Sequence, residues 1–186
     1  MTSDGLLDLL LINPGGREKI YQELGNDLSA VEPPLWCRLI GGYVRDRGFS
    51  VEILDSEALN LPPDAIAEEV SKKAPRLVGM IVFGHQPSAS TQQMMPAGEA
   101  CREIKNKSAD IPIIIVGGHV SALPERTLEE EAVDFVCKGE GPSTIVQLLE
   151  KLGADDSDDL ADVQGLIWMR DGAPVLNPPA PLIKDM

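Results

Sequence analysis

The feature that most constrains this chain is a fivefold alternation of short apolar segments with helix-like ones. The strand-like segments cover residues 6–12, 50–55, 76–84, 111–118 and 133–139. The helix-like segments cover residues 33–48, 63–73, 90–107, 123–132 and 142–153. In the first of these, Trp36, Ile40 and Val44 recur at the four-residue spacing of one helix face. The third and fourth strand segments are apolar on both faces, which is typical of strands buried between two helical layers. The pattern predicts an α/β fold with a doubly wound, mostly parallel sheet of five strands.

A different kind of sequence follows residue 153. Residues 154–162 (ADDSDDLAD) are acidic and are interpreted as a solvated linker. Two short apolar runs then flank Asp171-Gly172, a dipeptide typical of a two-residue β-hairpin turn. Residues 178–186 (PPAPLIKDM) are expected to be extended. We therefore predict an α/β domain over residues 1–153 and a linker, hairpin and tail over residues 154–186.

Charge and cysteine spacing argue against several classes of partner and site. The chain carries 30 acidic and 16 basic residues, a formal charge of −14, so nucleic acid and anionic membrane surfaces are poor partners. Apolar stretches are also too short to span a bilayer. Cys37, Cys101 and Cys137 lie far apart in sequence, without a CxxC or CxxxCxxC motif. They are expected to be three buried, reduced thiols of a cytoplasmic protein rather than zinc or iron–sulfur ligands.

Glycines and short hydroxyl side chains gather in the segments that follow the strands. These segments read NPGG after the first strand, GHQPSASTQ after the third, GGHVSALPE after the fourth and GEGPST after the fifth. Because the carboxyl ends of parallel strands meet at one edge of the sheet, we expect the four segments to lie together. Glycine lets the backbone approach a ligand closely. The set suits a large flat or extended ligand that carries amide and phosphate groups.

Nucleotide-binding motifs are incomplete in these segments. A dinucleotide fingerprint needs GxGxxG after the first strand, where residues 13–18 read NPGGRE, and no GK[ST] P-loop occurs. A phosphorylatable receiver domain would need paired acids at the end of the first strand, which ends at Asn13. A flavodoxin-like domain that binds flavin or another nucleotide remains an alternative.

Four segments together resemble the N-terminal cobalamin-binding domain of cobalamin-dependent radical S-adenosylmethionine (SAM) enzymes. They are LLLINP, PPLWCRLIGGYVRDRGFSVEILD, GGHVSALPE and VDFVCKGEGPSTIVQLLEKL, and the resemblance extends over residues 6–182. GGHVSALPE followed by GEGPST is the most specific part. The resemblance implies a flavodoxin-like (Rossmann-like) sheet of five parallel strands with a C-terminal β-hairpin extension. It also implies cobalamin as the bound cofactor.

The resemblance further implies that the corrin ring lies on the strand ends, with its nucleotide tail in a slot beside the fourth strand. Gly117 and Gly118 would line that slot, so Gly117→Leu is expected to fold but to lose corrinoid. No catalytic residue and no metal ligand is expected from this chain. The implied cofactor-binding residues are Asn13, Pro14, Gly15, Gly16, Arg17, Tyr21, Phe83, Gly84, His85, Ser88, Ser90, Thr91, Gly117, Gly118, His119, Val120, Ser121, Glu140, Gly141 and Pro142.

The first loop departs from the DxHxxG pattern of mutase and methionine-synthase modules, in which the histidine ligates cobalt. Asn13, Gly15 and Gly16 stand at the corresponding places, and no histidine is present. The expected cofactor state is therefore base-off, without a histidine ligand from the first loop. Arg17 and Tyr21 are expected under the lower face of the corrin.

By the same resemblance, the chain would be the cofactor domain of a radical SAM enzyme, most often a methyltransferase. S-adenosylmethionine and a 4Fe–4S cluster would belong to a radical SAM domain that is absent from this sequence and acts in cis or in trans. Alone, the chain is expected to hold cobalamin without catalysing a reaction. A stand-alone corrinoid carrier module is the alternative within the same ligand class.

Overall fold

The fold is built on one seven-stranded sheet. A computed structural model describes residues 6–16, 32–84, 87–153 and 159–184, with the backbone alone described at 87 and 88. The strands are β1 (Leu9–Asn13), β2 (Val51–Asp55), β3 (Leu77–Val82), β4 (Ile113–Gly117), β5 (Phe135–Cys137), β6 (Leu166–Arg170) and β7 (Ala173–Leu176). Their order is β2-β1-β3-β4-β5-β6-β7. The first five pair in parallel, whereas β6 and β7 are antiparallel to their neighbours. The predicted sheet with its hairpin extension is confirmed.

Helices cover both faces of this sheet. In the described part of the chain they are α1 (Leu35–Arg45), α2 (Ser56–Leu59), α3 (Pro63–Lys73), α4 (Pro87–Lys107), α5 (Gly118–Ala122), α6 (Pro124–Glu130) and α7 (Pro142–Leu152). One core cluster joins the sheet to α3, α4, α5 and α6, and a second joins it to α1 and α7. Within the described residues, no helix has the length and apolar content needed to cross a bilayer.

The central strands show why the sequence pattern was informative. Every residue of β3 and β4 is buried. Along β4, Ile113 and Ile115 belong to one core cluster, and Ile114 and Val116 to the other. Successive side chains of a strand point to opposite faces, so a strand between two helical layers must be apolar at every position.

Strand β1 and helix α4 differ in extent from the first strand-like segment and the third helix-like segment of the sequence. The strand begins at Leu9 rather than at Leu6, which is 63% exposed. Helix α4 begins at Pro87 rather than at Ser90 and continues through Pro96 to Lys107. Pro96 is buried, and its ring packs against the place where a side chain on Gly16 would lie.

The C-terminal hairpin is part of the same sheet. Asp171 and Gly172 both have positive φ, at 52° and 80°, as a two-residue hairpin turn requires. The side chain of Asn177 donates hydrogen bonds to the carbonyls of Leu160 and Val163, which ties the segment before the hairpin to its end. The domain division at residue 153 stays a prediction, and residues 154–158 lie outside the described residues.

The three cysteines are free and buried, as expected from their spacing. Burial raises the pKa of Cys37 and of Cys101 to about 12, and that of Cys137 to about 11. The thiolate is the reactive form of cysteine, so these thiols are protonated at neutral pH.

We expect the three thiols to resist alkylation in the folded protein. Their raised pKa values lower the thiolate fraction at pH 8, and burial blocks access, so labelling by iodoacetamide should be at least about 100-fold slower than in guanidinium. Mass spectrometry of the labelled protein under both conditions measures this ratio. Equal labelling rates would show that the thiols are not part of a stable core.

Candidate functional site

The carboxyl ends of the parallel strands form one edge of the sheet, which we call the exit edge: residues 13–16, 83–84, 117–121 and 138–142. Register brings these ends together, since Val82 pairs with Gly117 and Val116 pairs with Cys137. The chain leaves β1 toward β2 and returns on the other side as β3. The exits of β1 and β3 therefore flank the topological switch point, where open α/β sheets bind their ligands.

A hydrogen-bonded network joins the exits of β3 and β4. The buried hydroxyl of Ser90 donates to the carbonyl of Val82 and accepts from the backbone N–H of His119 at 3.0 Å. The His119 ring in turn lies with Nδ1 3.0 Å from the Thr91 hydroxyl. The predicted site residue Ser90 therefore joins the exits of β3 and β4 by hydrogen bonds. The predicted site residue Thr91 is exposed at the exit edge.

Gly117 is needed for packing within the sheet. A Cβ atom there would lie 2.6 Å from Val82 Cγ2 and 2.8 Å from the Val82 carbonyl carbon, and closer still to the carbonyl oxygen. Backbone atoms cannot move aside as a flexible side chain can. The expectation that Gly117→Leu would leave the fold intact is therefore wrong. A role for Gly117 in lining a ligand slot stays a prediction.

Two other glycines leave open space on the edge. A Cβ atom at Gly118 would be no closer than 3.7 Å to Ser90, which is ordinary contact, and one at Gly139 would meet nothing within 4 Å. Both residues are exposed, and the φ of +133° at Gly139 is one that favours glycine. This part of the edge is lined by backbone rather than by side chains, so a flat ligand can approach it closely.

The β5 exit is held by contacts to α5 and to the C-terminal tail. Ser121 accepts a hydrogen bond from Gly139 N–H at 3.0 Å. Glu140 accepts one from the backbone N–H of Ile183 at 3.2 Å, so the tail reaches the exit edge. Gly141 has a φ of +100°, and Pro142 is buried at the start of α7. Glu140 is thus engaged with the tail.

Two further predicted site residues are packed tightly against other parts of the chain. The Val120 side chain is fully buried in the core cluster. A Cβ atom on Gly84 would lie 2.7 Å from the Ala89 carbonyl carbon, so the turn from β3 into α4 requires glycine there. Any contact of Val120 or Gly84 with a ligand would come from the backbone.

The β1 exit lies against the end of β2 and against helix α4. Asn13 donates a hydrogen bond to Asp55 at 2.9 Å, and Asp55 caps α2. Pro14 and Gly15 are buried, and Gly16 takes a φ of +120°. This exit therefore presents backbone to the edge. Arg17, Tyr21 and His85 lie outside the described residues, and the side chain of Ser88 is also not described.

One aromatic contact at the edge was not expected from the sequence. Phe83 at the β3 exit stacks on Trp36 of α1, with ring centroids 4.2 Å apart and planes inclined by 21°. The sequence indicates Trp36 only as a member of the α1 apolar face. The stacked rings border the exit edge on the side of α1, and Ser90 and Thr91 border it on the side of α4.

Curated proteins and solved structures match nearly all of this chain. It is 31% identical to the anaerobic magnesium-protoporphyrin IX monomethyl ester cyclase of Synechocystis sp., over 96% of this chain and 34% of that protein. It is 28% identical to an uncharacterised methyltransferase of Pyrococcus horikoshii, over 97% and 37%. It is also 24% identical to the cytidylyl-2-hydroxyethylphosphonate methyltransferase of Streptomyces wedmorensis, over 96% and 34%. The chain spans about a third of the length of these relatives.

Among solved structures, the fold is shared with the radical SAM methyltransferase TsrM of Kitasatospora setae in its complex with cobalamin and a 4Fe–4S cluster. The TM-score is 0.70 at 22% identity, over 95% of this chain and 30% of TsrM. OxsB, a cobalamin-dependent SAM radical enzyme, gives a TM-score of 0.64 at 18% identity, over 95% and 23%.

A family model also matches most of this chain. The model of the B12 binding domain matches residues 24–149, which include the exits of β3, β4 and β5. The resemblance to a cobalamin-binding domain is thereby confirmed. The chain belongs to the B12 binding domain family.

Proposed function

We propose that this chain binds cobalamin across the exit edge, in the base-off form and without a histidine ligand from the first loop. We further propose that it serves as the cofactor domain of a radical SAM enzyme, most often a methyltransferase. When bound, cobalamin supplies a cobalt centre that can carry a methyl group. This chain's own residues would bind and orient the cofactor.

The observation that carries the proposal is the free space beside the backbone of Gly118 and Gly139. Side chains are absent at two neighbouring exits, β4 and β5, where a Cβ atom would have met no obstacle. At Gly139 the φ of +133° itself favours glycine. Neither packing nor such a φ explains Gly118, whereas close approach of a ligand does. The nearby Ser121 and Thr91 hydroxyls are polar groups suited to the amides that fringe a corrin ring.

The base-off state is supported by the residues of the first loop. Residues 13–16 read Asn-Pro-Gly-Gly, and the chain has only two histidines, His85 and His119. His119 is on the β4 exit, and its Nδ1 is already paired with the Thr91 hydroxyl. A cobalt centre over the β1 exit would therefore have no imidazole from the first loop.

The radical SAM context is supported by the relatives. Two of them are methyltransferases, and TsrM is a radical SAM methyltransferase whose structure holds cobalamin. S-adenosylmethionine and the cluster would be held by a radical SAM domain, in cis or in trans. Free cysteine thiols support a cytoplasmic location.

Cofactor retention tests the proposal. After incubation with hydroxocobalamin and desalting, we expect about one equivalent to remain, with the visible spectrum of a base-off cobalamin although the free cofactor is base-on at the same pH. After reduction to the cob(II) state, electron paramagnetic resonance should show no splitting from an axial nitrogen. Incubation with flavin mononucleotide is the matched control. Retention of flavin but not of corrinoid would overturn the proposal.

The downstream reading frame of the gene distinguishes the two corrinoid functions. A continuation into a domain with CxxxCxxC supports a cofactor domain in cis. A stop codon, together with transfer of bound corrinoid to a separate protein, supports a carrier module.

A further inference from the structure

One buried polar atom close to the exit edge has no partner. The side-chain oxygen Oε1 of Gln93, in α4, is shielded from solvent and accepts no hydrogen bond. Leaving a buried acceptor unpaired is costly, so such an atom calls for an explanation. Among the described residues, the other buried side-chain atoms without a hydrogen bond are Ser56 Oγ, in α2, and Glu131 Oε2, which is in an ion pair with Arg102 at 3.5 Å.

Helical spacing places Gln93 between the exits of β1 and β3. Ser90, Gln93 and Pro96 are three residues apart, so they follow one another along the same side of α4. Ser90 is bonded to the carbonyl of Val82 at the end of β3. Pro96 lies 2.6 Å from the place of a Cβ atom on Gly16, at the β1 exit. The position between them is the topological switch point of the sheet.

We propose that the Gln93 carboxamide binds a primary amide on the rim of the corrin ring. This inference rests on the proposed function and extends it by one specific contact. A primary amide carries both an N–H donor and a C=O acceptor, so it satisfies a glutamine carboxamide in either orientation. Cofactor binding would then supply the hydrogen bond that Gln93 lacks in the free protein.

Opposite effects on folding and on binding are expected for Gln93→Met. Methionine has a similar length and only a weakly accepting thioether, so it removes the unpaired carbonyl oxygen and should leave the melting temperature of the free protein unchanged or raise it. The dissociation constant for hydroxocobalamin should rise about tenfold, the equivalent of one net hydrogen bond. Absorbance titration measures binding, and circular dichroism measures melting.

Gln92→Met is the matched control, because Gln92 is the exposed neighbour on the same helix. It should change neither quantity. Cobinamide, which keeps the ring amides but lacks the nucleotide tail, should lose the same factor as cobalamin in Gln93→Met. A loss confined to cobalamin would assign the contact to the tail and overturn the inference.

The remaining outcomes separate this inference from the proposed function. If the parent protein binds cobalamin and Gln93→Met binds it equally well, Gln93 has no role in binding, and the proposed function stands. A fall in the melting temperature of free Gln93→Met would show that the carboxamide already has a stabilising partner, which also overturns the inference. If the parent protein binds no cobalamin, the proposed function itself fails.

Discussion

Gly117→Ala is expected to destabilise the folded protein by about 3 kcal/mol, and Gly117→Leu is expected to leave little folded protein. The reason is the close approach of β3, whose Val82 carbonyl occupies the space that a Cβ atom at Gly117 would need. Relief would require β3 and β4 to separate where Val82 pairs with Gly117. Urea unfolding monitored by circular dichroism gives the change in free energy of unfolding.

Two glycine variants serve as controls for this experiment. Gly118→Ala introduces the same methyl group one residue later, where it would meet nothing closer than 3.7 Å. Gly42→Ala adds a methyl group in α1 with no neighbour within 4 Å and should stabilise the helix by about 0.5–1 kcal/mol. If Gly117→Ala unfolds at the same urea concentration as Gly118→Ala, the close approach of β3 is not a constraint.

The second large effect is expected for Ser90→Ala, which should cost about 2 kcal/mol of folding free energy. The hydroxyl satisfies two groups at once, the Val82 carbonyl and the His119 N–H. Ser90 is only 2% exposed, so water cannot readily replace it. Because the network joins the exits of β3 and β4, cobalamin binding should weaken as well. Urea unfolding and absorbance titration measure the two effects.

Thr91→Ala is the control for Ser90→Ala. Its exposed hydroxyl is hydrogen-bonded to the His119 ring, and removing one exposed hydrogen bond should cost less than about 0.5 kcal/mol. Equal destabilisation by the two variants would contradict the bridging role assigned to Ser90.

The parallel sheet could be predicted from sequence because burial on both faces leaves a plain signature. In β4, four consecutive branched apolar residues precede Gly117, and few other structures need such a run. Helix α3 was likewise predicted with its observed ends, Pro63 and Lys73, because proline at the start and lysines at the end are strong signals. The helices α2 and α5 were missed because four or five residues are too few to show a helical period.

The reasons for individual glycines could not be predicted. A glycine after a strand has the same appearance in sequence whether it accommodates a ligand or a neighbouring backbone. Gly117 meets the backbone of Val82, whereas Gly118 faces open space, and only coordinates separate the two cases. Gln93 was missed for another reason. Pro96 is a residue that ordinarily delays or kinks a helix, so the helical face that joins Ser90, Gln93 and Pro96 is not apparent from the sequence.

Amide chemical shifts of the isotopically labelled protein can map where cobalamin binds. We predict the largest changes at 118–121, at 139–141 and at Gln93, with Leu9 and Ile113 at the opposite edge unaffected. The chain offers a rival location, a groove of about 370 Å³ beside the edge strand β2, lined by Leu54, Leu59, Leu61, Ala65, Glu68, Glu69 and Lys72. Changes confined to that groove, with the strand exits unperturbed, would contradict the proposal that the cofactor lies across the carboxyl ends of the parallel strands.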